Sequence, residues 1–138
     1  LALVVSPPAL TADRAQPAAR DFLKALVEIP SGTRQRDAVD QVQTRLGHEL
    51  EGLGFAVHYV ANPKGAEVSG KLLEATREGA PGPAANSVKP AKYVTLLMHA
   101  DTVFEPNSGF SGWQEEEKTQ TARGPGVIDN KGGMVVAL

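Results

Sequence analysis

Apolar residues recur at helical spacing along the first third of the chain. Phe22, Leu23 and Leu26 follow Pro17, which a first helical turn tolerates, and Pro30, Ser31 and Gly32 end the run. That pattern predicts an amphipathic helix beginning near Pro17. After a polar loop, Val39, Val42, Leu46, Leu50 and Leu53 mark one face of a second helix. Gly52 and Gly54 form its exit, and His48 falls on the opposite, exposed face.

The period then shortens. Phe55 to Val60 is β-branched and aromatic and sets Phe55, Val57 and Tyr59 against His58, which predicts a strand with a structural His58. Gly70 to Thr76 fits a short helix or a strand equally well. Gly79 to Lys92, dense in Pro, Gly, Ala and Asn, predicts a flexible surface connection within one domain. Tyr93 to Met98 is a nearly continuous apolar run, the pattern of a strand covered on both faces in a parallel or mixed sheet. His99, Asp101 and Thr102 follow at its carboxyl end, where open α/β sheets place their ligands. From Lys131 to Leu138 an apolar helical stretch runs to the last residue without a stop signal, as expected of a chain cut within an element.

Composition narrows the chemistry. A length of 138 residues fits one domain, and 41% apolar with 22% charged residues is ordinary for a globular chain. The net charge of -2 and scattered basic residues supply no field for a phosphate backbone, so nucleic acid is not an expected partner. No run approaches membrane-spanning length, so no membrane partner is expected either. With no cysteine, a disulfide framework and a thiolate metal site are both excluded, and any metal must be held by His, Asp or Glu. The chain opens LALVVSPPALTA, and residues 1–16 read as a leader, either a signal remnant or a disordered segment. Periplasmic, secreted and cytoplasmic locations all remain open on that reading. Residues 17–138 form the folded part.

Two constellations carry chemistry. On an extended backbone His99 and Asp101 point to the same face, so the carboxylate can orient the ring through one nitrogen while the other binds a metal. The bland alternative is a structural hydrogen bond. The second constellation, GPGVIDNKGG from Gly124 to Gly133, is a glycine loop that delivers Asp129 at the start of an apolar helix. Asp129 could equally be a helix cap, and the loop could be a phosphate cradle with Lys131 as counter-charge, although P-loop spacing is absent. No cysteine nucleophile and no HExxH helix exists, and Gly109-Phe110-Ser111-Gly112-Trp113 departs from the serine elbow at its last residue.

Together, His99-Ala100-Asp101-Thr102-Val103 after an apolar strand and GPGVIDNKGG, whose Asp129 lies thirty positions after His99, resemble the dinuclear zinc exopeptidases. That family includes glutamate carboxypeptidases, aminoacylases and succinyl-diaminopimelate desuccinylases, and the first look nearest. The resemblance runs from about Phe22 to the last residue. It implies an α/β fold, a mixed, largely parallel sheet with flanking helices, with residues 17–138 as the first half of the catalytic domain and Gly70 to Thr76 as a strand. His99 would ligate one zinc, Asp129 would bridge two, and Asp101 would be the catalytic-site carboxylate that orients His99. A bridging carboxylate suits two cations about 3.5 to 4 Å apart. The resemblance further implies a cis Asp129–Asn130 peptide.

In the family a Glu-Glu pair, a further acidic residue and a second His complete the site, and these are expected beyond Leu138. Glu115-Glu116-Glu117 precedes Asp129 beside Trp113 and reads as a solvated charge run in a polar loop. The complete enzyme would hydrolyse a peptide or N-acyl amino acid next to a free carboxylate. Two zinc ions are expected, with Co or Mn also accepted by such ligands, and a homodimer is among the assemblies open to it. The present chain by itself is expected to be a catalytically inactive fragment.

Overall fold

The computed structural model describes residues 12–62, 69–79, 94–119 and 121–138. Helix α1, Ala12–Val27, carries Leu26 and Val27 into the interior, where they are 0% and 1% exposed. It starts earlier than the expected Pro17, which lies inside it, so residues 12–16 of the expected leader are helical and residues 1–11 lie outside the described residues. Helix α2, Arg36–Gly52, buries Val39, Val42, Gln43 and Gly47, the repeat of one helical face. Leu46 and Leu50 are half-buried beside them, while Leu53 lies past the helix end and is exposed. His48 is exposed, as its face predicts.

Strand β1, Ala56–Ala61, pairs antiparallel with β2, Lys71–Thr76, in a register from Ala56 opposite Thr76 to Ala61 opposite Lys71. Periodicity had left β2 open between helix and strand, and pairing with β1 decides it. Half-buried Lys71, Leu73 and Ala75 alternate with exposed Leu72, Glu74 and Thr76. His58 is exposed opposite Glu74.

The hairpin docks on α2 through a buried amide. Gln43 Nε2 donates to Ser69 Oγ at 2.8 Å and to the Lys71 carbonyl at 2.9 Å, and Gln43 Oε1 accepts the Leu73 N–H at 2.7 Å. A buried glutamine so bonded carries little desolvation penalty and takes the place of a neighbouring strand at the edge of β2. Gly47 lets the two elements approach, because a Cβ there would collide with the Tyr59 hydroxyl.

Among the described residues the fold is a small mixed α/β arrangement of three helices and two two-stranded antiparallel sheets. The expected largely parallel sheet is not formed by these residues. Of the apolar run expected as its central strand, Tyr93 lies outside the described residues and 94–98 join no sheet among the described residues, with Val94 91% and Leu97 95% exposed. The physical reason is that a strand is defined by hydrogen-bonding neighbours, and β1 and β2 satisfy each other. Among the described residues a parallel contact near this run is the isolated bridge between Gly32 and Thr102. The expected surface connection falls outside the described residues over 80–92. Glu115 and Glu116 lie not in a loop but in β3, Gln114–Glu116, which pairs with β4, Thr121–Arg123. No helix among the described residues is long and apolar enough to cross a membrane.

The core positions the site. Leu26 of α1, Val39 and Val42 of α2, Ala100, and Met134 of helix α3, Lys131–Ala137, pack together, with Phe22, Ile29, Leu46, Met98 and Val135 around them. Ala100 and Met134 anchor the two chemistry-bearing segments to the same helix pair, so their neighbours His99 and Asp129 come to one face.

Candidate metal centre

The loop from Gly124 to Asn130 is compact because its glycines leave no side chain in the way. Gly126 takes φ +83°, and a Cβ there would press on the Lys131 chain at 2.9 Å. A Cβ on Gly132 would collide with the Val127 carbonyl oxygen. The loop is closed by Val127 N–H on the Gly124 carbonyl at 3.1 Å and Gly132 N–H on the Gly126 carbonyl at 3.2 Å. The Asp129–Asn130 peptide is cis, the isomer that the resemblance implies.

Asp129 does not cap α3. The cap position is Asn130, which makes no side-chain capping bond, and the Asp129 carboxylate is instead bonded to His99. Its Oδ1 lies 2.8 Å from His99 Nε2, and its side chain is 82% exposed. On the other side of the ring, His99 Nδ1 lies 3.1 Å from the Asp101 carbonyl and 3.2 Å from Asp101 Oδ1. The other oxygen of Asp101, Oδ2, accepts the Thr33 hydroxyl at 2.7 Å. The imidazole therefore stands between two carboxylates. Burial pushes its pKa down, but the hydrogen bond to Asp129, the Asp101 carbonyl and the charges of both carboxylates push it up further, leaving it above the ordinary histidine value.

The donor set suits a hard or borderline divalent cation. Two ligands of one tetrahedral zinc, each about 2.0 to 2.2 Å from the ion, lie roughly 3.4 Å apart. The His99–Asp129 pair at 2.8 Å thus needs only a small separation to share an ion. Asp101 stands behind the ring, so His99 and Asp129 are two donors, and among the described residues no cluster of three or more candidate ligands surrounds one point.

Lys131 was a candidate counter-charge for a bound phosphate. It is completely buried, and its Nζ donates to the Ile29 carbonyl at 2.7 Å, away from the loop surface. Burial lowers its pKa to about 8. The Val127 and Gly132 amides are taken up by loop carbonyls and the loop carries the exposed carboxylate of Asp129, which opposes an anion. Glu115 is engaged by Arg20 and by the Trp113 indole, the Arg20 hydrogen bond holding it below its ordinary carboxylate value. It takes no part at the His99–Asp129 pair.

Comparison with known proteins finds no match among protein-family models and none among curated proteins. The geometry of the centre therefore carries the weight. It includes residues whose role a local reading did not reveal: Ser31, which reads only as part of a helix stop, and Thr33, in the polar loop after it, bond to Ala100 and Asp101. Two small hydroxyl residues flanking Gly32 after a helix were the available signal, and they fit a turn equally well.

Proposed function

We propose that this chain contributes two ligands, His99 and Asp129, to a dinuclear zinc centre of a hydrolase that cleaves peptide or amide bonds, of the glutamate carboxypeptidase-like kind. The supporting observation is the meeting of His99 Nε2 and Asp129 Oδ1 at 2.8 Å, with Asp101 behind the ring. Histidine ligands of zinc commonly give their other N–H to a carboxylate or carbonyl, which fixes the tautomer and raises basicity. Asp101 offers both groups. Asp129, mostly exposed, can turn its second oxygen towards another cation. The chemistry supplied by zinc when bound there is polarisation of an amide carbonyl and acidification of a water.

On the same reading, residues 94–98 belong to a larger, largely parallel sheet, and the Gly32–Thr102 bridge is a parallel contact of that kind. The chain alone, with two donors at the centre, binds zinc weakly and does not hydrolyse substrate. Peptides and N-acyl amino acids with a free carboxylate are the substrate class the reading assigns to the complete site.

A zinc titration tests this, followed by calorimetry and by the ring-nitrogen NMR shifts of His99. Wild type should bind, His99→Ala and Asp129→Ala should not, and Asp101→Ala should bind about 10- to 100-fold more weakly. Zinc that left the His99 shifts unchanged would overturn the reading.

A further inference from the structure

The segment bearing His99 and Asp101 is held by the turn between α1 and α2. Thr102 N–H donates to the Ser31 carbonyl at 2.8 Å, and Thr33 N–H donates to the Thr102 carbonyl at 2.9 Å. The fully buried Ser31 hydroxyl donates to the Ala100 carbonyl at 2.9 Å, and Arg34 N–H donates to Glu105 Oε1 at 3.0 Å. The first three of these bonds fix the backbone of residues 100–102. One further contact from the turn reaches a side chain of the centre. Thr33 Oγ1 lies 2.7 Å from Asp101 Oδ2 and 3.1 Å from the Thr102 carbonyl. A hydroxyl has one proton to give, and a bond to an ionised oxygen is shorter and about twice as strong as a neutral one. The proton goes to Asp101.

We propose that Thr33 is a positioning residue for the metal-binding imidazole of His99, acting through Asp101. The proposal rests on the zinc-centre reading and deepens it. Asp101 divides its oxygens, Oδ2 on the Thr33 hydroxyl and Oδ1 on His99 Nδ1. Without Thr33 the carboxylate is free to turn towards water, since the side chain is 26% exposed. His99 Nδ1 would then keep only the Asp101 backbone carbonyl, a neutral acceptor, at 3.1 Å. With Thr33 in place the charged oxygen stays on Nδ1 and the proton stays on that nitrogen, so Nε2, which donates to Asp129 in the metal-free chain, is the nitrogen left to offer its lone pair to a cation. The hydroxyl lies one residue further from the metal than Asp101 does, so its loss weakens binding rather than abolishing it.

The test compares Thr33→Val, which removes the hydroxyl at similar volume, with Thr33→Ser, which restores it. Two quantities are measured: zinc affinity, and the His99 ring-nitrogen shifts of the metal-free chain at one fixed pH. Thr33→Val should weaken zinc binding about 3- to 10-fold, below the 10- to 100-fold typical of removing a ligand's direct partner, and Thr33→Ser should recover it. The Nδ1 shift should move in Thr33→Val and return in Thr33→Ser. In an Asp101→Ala background Thr33→Val should add nothing, because the coupling runs through that carboxylate. Unchanged affinity and Nδ1 shift in Thr33→Val would overturn the positioning role while leaving the zinc centre standing. A Thr33→Val effect that persisted without the Asp101 carboxylate would overturn it too. A wild type that binds no zinc would defeat the zinc-centre reading instead, and the Nδ1 shift would then decide the Thr33–Asp101–His99 arrangement on its own.

Discussion

His99 Nε2 lies 2.8 Å from Asp129 Oδ1 across a separation of 30 residues, while Nδ1 of the same ring faces Asp101. Carboxylate oxygens only accept, so in the absence of a metal the ring satisfies both sides best when each nitrogen carries a proton. Burial opposes that charge, and the hydrogen bond to Asp129 and the two negative charges outweigh it, so the folded pKa stands above the ordinary 6.5. The fold therefore favours the protonated ring. Its contribution to stability is complete below pH 6.5 and is lost as pH rises through the raised folded value. An NMR titration of the metal-free chain should place the His99 midpoint above 6.5, and Asp129→Asn should lower it. A wild-type midpoint at or below the ordinary value would contradict the geometry.

Lys131 supplies a second pH dependence of opposite sense. It is completely buried with its ammonium on a backbone carbonyl, and burial lowers its pKa from 10.5 to about 8. Below the folded value both states are charged, and the folded chain bears the cost of burying the charge. Between about 8 and 10.5 the folded chain releases the proton while the unfolded chain keeps it, so stability rises with pH. The slope is at most about 1.4 kcal/mol per pH unit. Urea unfolding across that window should show the rise in wild type and its absence in Lys131→Met. Parallel curves for the two proteins would refute the assignment.

Two leucines of similar sequence character should behave differently. Leu26 is 0% exposed in the core and Leu97 is 95% exposed in the unpaired apolar run. Leu26→Ala should cost about 2 to 5 kcal/mol, as large-to-small core changes do. Leu97→Ala should change stability by less than about 0.5 kcal/mol. Denaturant midpoints of the two variants give the comparison directly. An equal loss would mean that residues 94–98 pack as a covered strand in the isolated chain.

Local spacing was enough to read the buried faces of α1 and α2 and the existence of β1, because helical and extended backbones impose their own periods on apolar residues. It also brought His99, Asp101 and Asp129 forward as candidates, through the short distance from His99 to Asp101 and the glycine loop around Asp129. What it left open were matters of pairing. β2 is a strand because β1 lies beside it, and the 94–98 run, more apolar than either, is unpaired because no described segment offers it hydrogen bonds. A carboxylate before a helix can cap it or leave it, and Asp129 leaves it because His99 is brought within reach by Ala100 and Met134 in one core. Lys131 reads as a candidate counter-charge for a phosphate and is buried; Thr33 falls in a polar loop by sequence and holds Asp101 across 68 positions. Periodicity reports which face of an element is apolar. Which polar atoms meet is decided by hydrogen bonds between distant segments, and these exist only once the core has packed.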